Sequence, residues 1–82
     1  MKKLVYFSAS WCQPCVTFGP QLENITSLRD IPLEKINVDL DPRMTMKYHI
    51  KSIPTVVLVE NDQEIKRFVG IKSENEILNF WN

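Results

Sequence analysis

Apolar residues open the chain in a short block. Leu4, Val5, Tyr6 and Phe7 follow Lys3 without a polar interruption, and Ser8, Ala9 and Ser10 close the run. Its brevity and its content of β-formers predict a buried strand feeding a loop. From Gln13 to Arg29 the period changes: Phe18, Leu22, Ile25 and Leu28 recur at spacings of four, three and three, one face of a helix that should cover a sheet. Pro14 suits the first turn, where its missing N–H would have had no partner, whereas Pro20 beside Gly19 falls mid-helix and predicts a kink. Asp30, Ile31 and Pro32 end the element. Ile36 and Val38, within Leu33 to Asp39, mark a second strand, and strand, helix, strand predicts a right-handed parallel unit.

Asp41 is placed to cap a short helix from Arg43 to Tyr48, with Pro42 at its first position. Thr55, Val56, Val57, Leu58 and Val59 form a nearly unbroken β-branched, apolar run, the pattern of a central strand covered on both faces. Asn61 and Asp62 predict a turn, and Glu64 to Val69 an edge strand that Gly70 stops. Ser73 with Glu76 is a capping-box pattern, opening a last helix that packs Ile77, Leu78 and Trp81 on the sheet. The predicted order is β-α-β-α-β-β-α, an α/β fold.

The 82 residues, 44% of them hydrophobic, suffice for one core and not two, so residues 1–82 read as a single domain. Ten basic side chains balance ten acidic ones and neither sign clusters, which argues against an electrostatic grip on nucleic acid or a membrane surface. The apolar run after Met1, Lys2 and Lys3 is too short for a secretion signal or a membrane span. The expectation is a complete, cytoplasmic chain, monomeric by default. Two cysteines cannot form the framework that staples small secreted domains, and a reducing compartment would not preserve a structural bridge, so their role, unless the pair is inert, is chemical.

Cys12 and Cys15 stand where the first strand gives way to the first helix. Side chains three apart on a helix are about 5–6 Å apart at Cβ, near the separation a disulfide requires, so the bond forms and breaks with small adjustment. Unpaired N–H groups and the positive end of the helix dipole favour a thiolate at a helix start, which makes Cys12 the expected nucleophile and Cys15, one turn inward, the resolving thiol. Cys12 attacks a substrate disulfide; Cys15 then attacks Cys12 and releases the reduced product. Pro14 stiffens the turn, and Trp11 offers an apolar surface that excludes water and meets a substrate chain. A structural disulfide across so short a loop would remove little entropy from the unfolded chain. Zinc would need two further ligands, and His49, which reads as a surface or satisfied core histidine, is the lone soft candidate. The expectation is therefore no metal and no bound cofactor.

Trp11, Cys12, Gln13, Pro14 and Cys15 resemble the active-site motif of the thioredoxin family, with Gln13 where a glycine is usual. Pro20 resembles the family's helix-kinking proline and Lys35 to Asp39 its next central strand. Tyr48, Ile50, Ile53, Pro54 and Thr55 resemble the segment bearing its cis-proline, and Val69 with Gly70 the glycine bordering its substrate groove. Order and spacing agree from about Leu4 to the C-terminus. The resemblance implies a thioredoxin-like fold, with a four-stranded mixed sheet between helices and without the family's N-terminal strand and helix. It further implies a cis Ile53–Pro54 bond, Pro54 packed against the cysteines, and an Ile53 backbone open to pairing with an extended substrate segment. Trp11, Ile53, Pro54, Gly70 and Ile71 would then form one apolar groove around Cys12.

Tyr6 stands six residues before Cys12, where the family has a buried aspartate that assists proton transfer at the second cysteine. Lys35 matches that aspartate's lysine partner and, without the carboxylate, is expected to point its ammonium to water, leaving proton transfer to water or to the Tyr6 hydroxyl. Three functions stay open. The first is a protein-disulfide reductase and electron carrier acting on disulfide-containing proteins, ribonucleotide reductase being an example, and recharged by a thioredoxin reductase. The second is a glutaredoxin-like reductant drawing on glutathione; Ile71, Lys72 and Ser73 after Gly70, in place of a second glycine and an acidic residue, weigh against it. The third is a non-catalytic binding subunit of a larger complex.

Overall fold

A computed structural model describes all 82 residues. Its elements run β1 (Lys2–Ser8), α1 (Gln13–Leu28), β2 (Leu33–Asn37), α2 (Pro42–Lys47), β3 (Thr55–Glu60), β4 (Gln63–Val69) and α3 (Glu74–Trp81), the predicted order. The strands form one mixed sheet in the order β2-β1-β3-β4. β1 and β2 pair in parallel across the α1 crossover, while β3 runs antiparallel to both β1 and β4. β1 and β3 are therefore the interior strands, which is why their sequences are almost unbroken apolar runs. Alternation along the strands sends Leu4, Tyr6, Val56 and Leu58 to the face packed by Phe18, Leu22 and Ile25 of α1 and Ile77 of α3. Val5, Phe7, Val57 and Val59 point the other way, toward Met44 of α2 and the buried Tyr48 that follows it. Both sides of the sheet are thus covered, and each fully buried side chain such as Phe7 or Phe18 contributes about 1.5–3 kcal/mol through removal from water.

Local chemistry sets the element ends. The Asp41 carboxylate accepts the Met44 N–H at 3.2 Å to start α2, and Ser73 and Glu76 exchange both bonds of a capping box to start α3. Asn61 and Asp62, at φ of 53° and 67°, make the two-residue turn between β3 and β4. β2 stops at Asn37 rather than at Asp39 because Asn37 turns the chain. Its side-chain oxygen accepts the Asp39 N–H at 2.9 Å, and its carbonyl accepts the N–H groups of Leu40 and Asp41. Val38 keeps one tie to the sheet, donating its N–H to the Ser8 carbonyl at 2.9 Å.

α1 continues through Pro20, and its apolar face departs from expectation at one position. Leu28 is 71% exposed. With about 100° per residue it lies roughly 120° around the helix from the middle of the buried stripe. Thr26 is buried instead, its hydroxyl satisfied by donation to the Leu22 carbonyl at 2.8 Å. No helix is long and apolar enough to cross a membrane.

Candidate active site

The loop after β1 delivers the cysteines to the end of the sheet, where the Cys12 N–H donates to the Ala9 carbonyl at 3.2 Å. Cys12 and Cys15 are joined by a disulfide with Cα atoms 5.2 Å apart, inside the usual span, and each is only 5% exposed. Cys12 is the N-cap of α1: its backbone is extended and its Sγ accepts the Cys15 N–H at 3.3 Å. After reduction the same sulfur, as a thiolate, meets that N–H and the positive end of the α1 dipole. No acidic residue in the first turn of α1 offsets this field. Ala9, Val38 and Ile53 pack on the pair and limit water around it.

The other expected site residues fall into three positions. Trp11 is 69% exposed beside Cys12, with its indole N–H donating to the Asp39 carboxylate at 2.8 Å, and it lines a depression that also includes Val38, Ile50 and Ile53. Ile53 joins this depression to the cysteine pair, and its own N–H and C=O take no hydrogen bond within the chain. Pro54 follows across a cis peptide bond and is buried; its carbonyl accepts the Gly70 N–H at 2.9 Å, which brings Gly70 to the site. Gly70 has φ of 92°, a conformation that favours glycine. Ile71, next along the chain, is 51% exposed, and neither it nor Gly70 nor Pro54 lines the depression formed by Trp11 and Ile53, so the five expected groove residues do not share one depression. Pro14 is exposed in the first turn of α1, and His49 is exposed in a left-handed turn after α2.

Behind Cys15 the structure corrects two expectations. Tyr6 is buried with its ring edge against Phe18, and its hydroxyl donates to the Cys15 carbonyl at 3.3 Å. Gly19 lies against it: a Cβ there would stand 3.4 Å from the Tyr6 oxygen, at ordinary contact distance. Burial pushes the phenol above its ordinary value, so it stays protonated through the neutral range and serves as a donor, not as a base. Lys35 does not simply face water. Its ammonium pairs with the Glu23 carboxylate at 3.1 Å, both side chains about half exposed. Tyr6, Cys15, Gly19, Glu23 and Lys35 all line one open cleft of about 350 Å³.

Asp39 and Glu23 were not among the expected site residues. Glu23 carried a signal, since Cys15, Gly19 and Glu23 recur at intervals of four on one stripe of α1. Asp39 carried none beyond its place at the end of the second predicted strand, because its partner Trp11 lies 28 residues earlier.

A family model described as Thioredoxin matches residues 1–82. The thioredoxin of Mycobacterium tuberculosis is 39% identical over 77 residues, which cover 92% of this chain and 66% of that protein. The same identity over 77 residues is found with a Mycobacterium leprae protein named a bifunctional thioredoxin reductase/thioredoxin, of which the match covers 17%. Among solved structures, thioredoxin 1 of Thermosipho africanus superposes with a TM-score of 0.82 at 31% identity, over 94% of this chain and 86% of that one.

Proposed function

The chain belongs to the thioredoxin family, and we propose that it is a protein-disulfide reductase that transfers two electrons from the Cys12–Cys15 dithiol to disulfides in other proteins. The observation that carries this reading is the position of Cys12 as the N-cap of α1, with a backbone N–H already directed at its sulfur and Cys15 held in bonding range. In the reduced protein the Cys12 thiolate attacks one sulfur of the target, forming a mixed disulfide and expelling the other sulfur as a thiolate. Cys15 then loses its proton and attacks Cys12; the mixed disulfide breaks and the Cys12–Cys15 bond re-forms. The unpaired backbone of Ile53 supports docking of an extended target segment by strand addition, with Trp11 and Ile53 as its apolar walls.

The oxidised pair must be reduced again by a donor. A flavoprotein reductase is favoured over glutathione, in keeping with the relative whose name joins a thioredoxin reductase and a thioredoxin in one protein. A reducing compartment such as the cytoplasm would keep the dithiol available. A Cys15→Ser variant incubated with a cell lysate tests the reading. It should accumulate mixed disulfides through Cys12 that dithiothreitol dissolves, and partners held only non-covalently would favour a binding module instead.

A further inference from the structure

We propose that Glu23, held by Lys35 over the cleft behind Cys15, accepts the proton of the resolving cysteine through water, replacing the carboxylate whose place Tyr6 occupies. The inference rests on the reductase reading above and concerns its second step.

Topology brings the parts together. Tyr6 and Lys35 are register partners on the parallel strands β1 and β2, so their side chains rise side by side on the face that α1 covers. Glu23 descends from α1 onto the same spot and pairs with Lys35 at 3.1 Å. Glu23 lies two turns beyond Cys15, about 12 Å along the helix axis, so a proton passing between them needs a chain of several waters. The intervening cleft, about 350 Å³, opens to solvent and is floored by Tyr6 and Ser8, so it is large and polar enough to hold such a chain. The charged or titratable groups facing it are Tyr6 from β1, Lys35 from β2, and Cys15 and Glu23 from α1. The Tyr6 phenol is a protonated donor, bound to the Cys15 carbonyl. The Glu23 carboxylate is the acceptor that remains.

In the step itself, the Cys15 thiol gives its proton to water and thence to Glu23. The thiolate attacks the Cys12 sulfur, the Cys12–Cys15 bond forms, and the target sulfur leaves with the electron pair of the broken mixed disulfide. Glu23 then returns the proton to solvent. Lys35 is a positioning residue, keeping the carboxylate over the cleft.

An aromatic disulfide such as dithionitrobenzoate separates the two steps in the reduced full-length chain, because one coloured thiolate is released as Cys12 is captured and a second as Cys15 displaces it. Glu23→Gln should slow the second release relative to the first by about tenfold at neutral pH, less than a direct general base would give. It should also make the second release rise with pH as for an unassisted thiol, and Glu23→Asp should recover the native profile. A second release in Glu23→Gln that overlays the native pH profile overturns the proposal. If the native chain releases no first thiolate, it is the reductase reading that fails, and the proposal with it.

Discussion

Tyr6 shows how one side chain settles a chemical question. Its hydroxyl is a donor to the Cys15 carbonyl inside the core, so Tyr6→Phe should cost about 1 kcal/mol of stability, the usual loss for one hydrogen bond, as read by denaturant unfolding. The same variant should leave the pH dependence of mixed-disulfide release unchanged. Tyr6→Asp should behave differently: it removes a buried ring packed edge-on against Phe18 and leaves a carboxyl in its place. We expect it to lower stability by several kcal/mol while changing the pH profile of the resolving step, since a carboxylate then faces Cys15 directly. Gly70 is a second residue of this kind. Its φ of 92° penalises any Cβ although nothing stands within 4 Å of one, so Gly70→Ala should destabilise through backbone strain alone, by about 1 kcal/mol, visible in the unfolding midpoint.

Elements were legible where their signals are local. The Asp41 cap, the Ser73–Glu76 box and the β-branched run of β3 each need only a few neighbours in sequence, and each appears as expected. Leu28 was misplaced because a spacing of three from Ile25 satisfies the period while drifting around the helix, away from the sheet. The pairs that build the site are non-local: Trp11 with Asp39, Glu23 with Lys35, and Pro54 with Gly70 depend on strand register and loop return, which no periodicity encodes. Within α1, Gly19 weakens the helix, and a methyl there meets Tyr6 at ordinary contact distance. Gly19→Ala should therefore stabilise the protein by up to about 1 kcal/mol in thermal or denaturant unfolding, and a loss of stability would mean that Tyr6 cannot yield.

For the whole molecule, two carboxyl groups held low by hydrogen bonds contribute to the acidic side of the stability curve. The Arg67 guanidinium donates to Glu64 and holds its carboxyl below the ordinary glutamate range, and the Ser73 backbone N–H does the same for Glu76. A group lowered in the folded state adds stability that is present above its unfolded value and fades as the pH drops through its folded value. The unfolding midpoint should accordingly fall as pH moves to the acid side of the glutamate range, with a shallower fall in Glu64→Gln. At neutral pH the fold has a single chemical purpose in this account, which is to hold Cys12 at the start of α1 as an attacking sulfur. The most direct test follows the reduction of a model protein disulfide, driven by a small dithiol, with and without catalytic amounts of the native chain and of Cys12→Ser. The native chain should accelerate the reduction and Cys12→Ser should not; equal rates for the two would contradict the account.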